Sequence, residues 1–168
     1  GQLMLNNELM GYYRKQGKQD EAFHHADRAT ELIRKLGMED TVTAGTTWVN
    51  AGTVREAFGD PVGGLEFFEM ARANYEKNLP GSAGRLGGLY NNMALALSVC
   101  GRYDEAEKMF RKAIAVMKQQ EYGELEQAIT YLNMADVYDA QLGSEAAESK
   151  VEELLDKAYD LLIDSDVK

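Results

Sequence analysis

Few residues in this chain of 168 are of types that do chemistry, and their spacing speaks against most reactions. His24 and His25 are adjacent, so on a helix they point about 100° apart and cannot share a metal ion as residues four apart can. They read as exposed helix residues. Cys100, the sole cysteine, falls in an apolar stripe with no histidine nearby in sequence and reads as a packed thiol. It has no disulfide partner within the chain, which fits a reducing, cytoplasmic setting. The glycine-rich stretch GSAGRLGGLY, residues 81–90, follows no strand and lacks the Gly-Lys-Ser/Thr ending of a phosphate loop. No catalytic residue, cofactor or metal ligand is expected, and the chain is not expected to be an enzyme. Hydrogen-bonding chemistry remains. Asn50 and Asn92 stand 42 residues apart, and Asn133 is equivalent once one inserted residue is allowed for. A carboxamide carries a donor and an acceptor and pairs with the N–H and C=O of an extended peptide whatever its sequence.

The 42-residue interval belongs to the whole chain. Gly17, Gly59, Gly101 and Gly143 are each 42 apart, and the text around them recurs: YYRKQGKQDEA at 12–22 returns as LSVCGRYDEA at 97–106. On either side of each glycine lie apolar residues at helical spacing. Leu89, Met93, Ala96, Leu97 and Cys100 form one stripe of the third unit, and Ala106, Met109, Phe110, Ala113 and Met117 form the other. Each unit is therefore expected to be a helical hairpin, with its glycine in the left-handed position just past a helix. Asp60-Pro61 supplies a capping carboxylate and a first-turn proline. Gly52 facing Gly64, and Ala94 facing Ala106, let paired helices approach closely. Helices are expected over residues 2–16, 19–36, 41–58, 61–78, 84–100, 103–120, 123–142 and 146–164. The Pro80 segment is expected to be a loop between repeats rather than a domain boundary.

These units resemble the tetratricopeptide repeat (TPR). Trp48, Gly52, Gly59, Gly64, Phe68 and Ala71 match its pattern in the second unit, and Tyr90, Ala94, Gly101, Tyr103, Ala106, Phe110 and Ala113 match it in the third. The first unit has Asn6 where an aromatic is usual, and the fourth has Val151 in place of a small residue. The long period is similar to the repeats of kinesin light chain and its bacterial relatives. The resemblance implies an all-α, right-handed α-solenoid of four hairpins, a single domain over 1–168 with repeats at about 2–38, 41–80, 84–121 and 123–164. It also implies that the first helix of each hairpin lines a concave groove. On that face fall Asn7, Glu8 and Lys15, then Asn50 and Thr53, then Asn91, Asn92 and Leu95, and finally Asn133 and Asp136. They are the expected peptide-binding residues. Chaperone-binding members hold a C-terminal carboxylate with groove lysines, whereas Met4, Thr46 and Gly88 occupy those positions here, which disfavours that ligand and acidic cargo peptides. The function implied is a non-catalytic module binding a peptide segment or partner protein. The alternatives are an assembly scaffold acting through the ends of the array, or the sensor domain of a larger bacterial regulator that binds a signalling peptide.

Charge refines the partner. With 18 basic and 28 acidic residues the chain carries −10, which disfavours nucleic acid and anionic membrane surfaces. The whole imbalance lies in the last repeat: residues 1–120 hold 15 basic and 15 acidic residues, and residues 121–168 hold 3 and 13. A basic segment of the partner is therefore expected at the C-terminal end of the groove. Tyr159, Leu161, Leu162 and Ile163 near the C-terminus suggest homodimerisation through the last helix. A start at Gly1 rather than Met suggests a processed tag or a piece of a longer chain.

Overall fold

The computed structural model describes the backbone of residues 1–167 and the side chains of residues 1–163. The described residues form eight α-helices and no strand: α1 (Gln2–Lys15), α2 (Gln19–Lys35), α3 (Val42–Ala57), α4 (Pro61–Asn78), α5 (Gly84–Val99), α6 (Tyr103–Met117), α7 (Glu124–Leu142) and α8 (Ser144–Val167). The chain divides into two compact units, Gly1–Pro80 and Gly81–Lys168, each built from two hairpins.

The hairpin turns follow from their glycines. Gly17, Gly59 and Gly101 have φ of 71°, 85° and 76°, a region that a side chain disfavours. Past each one the chain closes the same helix-ending bond: Lys18 donates to the Tyr13 carbonyl, Asp60 to Arg55 and Arg102 to Leu97, all at 2.9 Å. The fourth turn differs. Gly143 also has positive φ, but its ψ of 154° sends the chain straight into α8. That helix consequently begins at Ser144, two residues before the position expected from sequence. The expected cap at α4 is present, with Asp60 Oδ1 accepting from the Gly63 N–H at 2.9 Å and Pro61 opening the helix.

In the first unit the core is made of small and medium side chains at the crossings, with Met10, Ala22, Ala26, Ala29, Ala51 and Val54 buried together. Gly52 and Gly64 meet as their spacing suggests. A Cβ on Gly64 would stand 2.9 Å from the Gly52 carbonyl oxygen, so backbone packs directly on backbone. The Thr46 and Tyr75 hydroxyls, 2.7 Å apart, tie α3 to α4 below this crossing. In the second unit Ala94, Ala106 and Ala113 are fully buried beside Phe110, and Ala128, Met134, Ala135, Ala147, Leu154 and Ala158 continue the core between α7 and α8. Residues at these apolar stripes are thereby removed from the surface. What stays exposed on α1, α3, α5 and α7 is the opposite face, where the candidate site residues lie.

Candidate functional site

In the first unit, Asn7, Glu8, Lys15, Asn50 and Thr53 converge on one cleft of about 310 Å³ between α1 and α3, which Gly11, Tyr12 and Arg14 also line. Its polar floor is ordered from below. Thr47 Oγ1 donates to the Thr43 carbonyl at 2.9 Å, and Asn7 Nδ2 donates to Thr47 Oγ1 at 2.9 Å. Asn7 Oδ1 in turn accepts from Asn50 Nδ2 at 3.1 Å. Thr53 Oγ1 donates to the Val49 carbonyl at 2.9 Å, leaving its oxygen lone pairs facing out. The two carboxamides thus bridge α1 and α3, and the Asn50 carbonyl oxygen and second N–H remain available to a ligand. Arg14 and Lys15 close α1, where cations suit the negative end of the helix dipole.

In the second unit the corresponding residues sit on α5 and α7. Asn133 Nδ2 donates to Asn91 Oδ1 at 3.4 Å, again a bridge between helices. Asn92 and Leu95 are half-buried, and Asp136 is exposed. Leu125, Ile129 and Leu132 are also exposed, so this face is largely apolar. Behind it, the Glu107 carboxyl is held below its ordinary pKa by hydrogen bonds from Arg111 and Tyr138. Burial, followed by that same carboxylate, pushes the Tyr138 phenol up to about 12.

Several features escaped sequence reading. His25 is not an exposed residue like its neighbour. Its ring stacks on Tyr13 with centroids 5.5 Å apart and planes 7° apart, and its Nδ1 lies 2.8 Å from Asn6 Oδ1. Because Asn6 Nδ2 donates to the Gln2 carbonyl, the oxygen faces His25 and Nδ1 carries the proton. Burial and then His24 lower the His25 pKa. A second cleft in the first unit, of about 330 Å³, is lined by Glu39, Asp40, Trp48, Met70, Asn74 and Lys77. Lys77 Nζ spans it to Asp40 at 2.9 Å. These contacts join residues 19 and 37 apart in sequence, off the 42-residue register, so no repeat pattern announces them. Among the described residues, no three His, Cys, Asp or Glu side chains cluster as metal ligands, and no helix is long and apolar enough to cross a membrane.

Residues 85–160 match the family model described as Tetratricopeptide repeat. That segment carries tetratricopeptide repeats. The fold is shared with the crystal structure of BtubC (BKLC) from P. vanneervenii at a TM-score of 0.85 and 18% identity, covering 98% of this chain and 64% of that one. The chain thus spans somewhat under two thirds of BtubC. A Podosopora anserina putative kinesin light chain with nearly identical TPR-like repeats superposes at a TM-score of 0.69 and 15% identity, covering 97% of this chain and 96% of that one. At these identities the likeness is one of fold. Comparison with the curated proteins returns no match. The all-α array of helical hairpins, with repeats like those of kinesin light chain, is the architecture the glycine spacing implied.

Proposed function

We propose that this chain is a non-catalytic module that binds a peptide segment of a partner protein, with the α1/α3 cleft of the first unit as a contact site. Tetratricopeptide repeats are in general a protein-interaction fold, and the α1/α3 cleft supports the narrower reading. Five residues from two helices converge there, and the Asn7–Asn50 bond orders those two carboxamides before any ligand arrives. Pre-ordering of this kind lowers the entropy lost on binding. Asn50 and Thr53 offer a donor and two acceptors to a peptide backbone. Three such hydrogen bonds at ~0.5 to 1.5 kcal/mol each supply less than the roughly 8 kcal/mol of a micromolar complex, so apolar contacts must contribute the remainder. Selection of a displayed random peptide library on the chain tests this. Enriched peptides should bind the Asn50→Ala, Thr53→Ala double variant about fivefold more weakly. Unchanged affinity would show that these side chains only tie helices together.

A second reading is favoured by α8. Leu155, Tyr159, Leu162 and Ile163 leave an exposed apolar stripe on that helix, the kind of surface that mediates assembly. Under this reading the chain self-associates through α8.

A further inference from the structure

We propose that the exposed face of α7 is a docking site for an amphipathic helix that carries apolar residues along one side and Lys or Arg one turn beyond them. This rests on the reading of the chain as a protein-binding module and names the partner's chemistry. Leu125, Ile129 and Leu132 are 51%, 47% and 39% exposed, and their spacing of four and three residues places them in one line along the helix. The same line continues through Asp136 and Asp139, both exposed. The face is therefore apolar over its first half and anionic over its second.

Among the described residues no basic side chain forms an ion pair with that second half. The α7 sequence contains no Lys or Arg, its last turn has no basic residue, and neither aspartate has an ion-pair partner among the described residues. Carboxylates at the negative end of a helix dipole are unfavourable, so a cation brought by a partner gains from both aspartates and from the helix end. The apolar half explains why the occupant is a helix rather than an extended peptide. Leu125, Ile129 and Leu132 offer no side-chain hydrogen bonds, so a strand laid along this line would leave its backbone groups unpaired. A helix satisfies its own backbone and presents anchors at matching spacing.

The turn before α7 adds an independent observation. Tyr122 is 77% exposed, and its φ of 61° is a conformation that side chains rarely adopt. Gly123 is confined too, because a Cβ there would strike the Met117 carbonyl oxygen. Tyr122 precedes Leu125 by three residues, so an uncovered aromatic lies next to the apolar line in sequence, and aromatic residues are common anchors at interfaces.

The test uses acetylated, amidated helical probes of about 16 residues, with leucines spaced four and three apart and two lysines one turn beyond, made in both sequence directions. One direction should bind the full chain. Replacing its lysines by glutamates, or introducing Asp136→Asn with Asp139→Asn, should weaken binding about fivefold, and Ile129→Gln about tenfold. A central proline in the probe should abolish binding. Tyr122→Gly should weaken binding while raising the unfolding midpoint, a combination that general damage to the fold would not give. The proposal is overturned if neither direction binds, if lysine and glutamate probes bind alike, or if Ile129→Gln changes nothing. Binding lost in the Asn50→Ala, Thr53→Ala variant but retained in Ile129→Gln would keep the broader reading and reject this one. A free chain that light scattering shows to be a dimer, and that Ile129→Gln dissociates, would mean a second copy occupies the face and would equally reject it.

Discussion

Asn7 and Asn50 bridge α1 and α3 through a 3.1 Å carboxamide bond, so the residues of the proposed peptide contact also hold two helices together. The 42-residue recurrence of Asn50 and Asn92 was legible in the sequence, but the bond from Asn50 to Asn7 was not. It joins residues 43 apart, one step off the repeat, because neighbouring helices meet with a stagger that spacing along the chain does not encode. Asn7→Ala should remove the acceptor of Asn50 and a donor to the buried Thr47 hydroxyl, lowering stability by about 1 to 2 kcal/mol in urea unfolding. Glu56 makes a different residue-scale prediction. Burial raises its pKa above the ordinary 4.5, so between 4.5 and the raised value the folded state holds more protons than the unfolded one. Stability from this group is therefore lost as pH rises through that window. Glu56→Gln should be more stable than the parent near pH 7 and indistinguishable from it at about pH 4, where both side chains are neutral. A neutral-pH unfolding midpoint no higher than the parent's would show that the carboxylate is not penalised by its site.

At the scale of elements, glycines report two separate constraints, and substitution separates them. Gly64 lies where two backbones touch, so neither neighbour yields to a new Cβ. Gly64→Ala should cost about 1 to 3 kcal/mol through overpacking, despite the better helix propensity of alanine. Gly88 also lies inside a helix, but a Cβ there meets nothing within 4 Å. Gly88→Ala should stabilise by roughly 0.5 to 1 kcal/mol, and the two urea midpoints should move in opposite directions. Sequence reading placed the first three hairpin turns because they repeat one motif, a glycine with positive φ closed by the same backbone bond. It misplaced the start of α8 because Gly143, with a ψ of 154°, passes the chain directly into the next helix instead of through a further turn residue. The helix pairs were legible from small residues at crossings. The His25–Tyr13 stack and the Asp40–Lys77 bridge were not, since no periodicity marks contacts that occur once.

For the molecule as a whole, charge distinguishes the two surfaces that could engage another protein. Residues 1–80 hold nine basic and twelve acidic side chains, net −3, whereas residues 81–168 hold nine and sixteen, net −7. Both the α7 face and the α8 stripe lie in the more acidic unit. On α8 the exposed Leu155, Tyr159, Leu162 and Ile163 are accompanied by exposed Glu148, Glu152, Asp156 and Asp160, while Lys157 turns to Glu153 at 3.4 Å. Two copies meeting through α8 would bring like charges together, a repulsion that added salt screens. A basic helix on α7 gains from opposite charges, and added salt weakens that attraction. The two modes therefore respond to ionic strength with opposite signs. Between about 50 and 500 mM salt, self-association through α8 should strengthen and binding of the lysine probe should weaken. Sedimentation of the free chain and probe titration in the same buffers measure the two responses side by side. Tyr159→Lys should suppress the first without touching the second. Self-association that weakens with salt would place the contact between opposite charges and remove α8 as its seat. Probe binding indifferent to salt would take Asp136 and Asp139 out of the docking site.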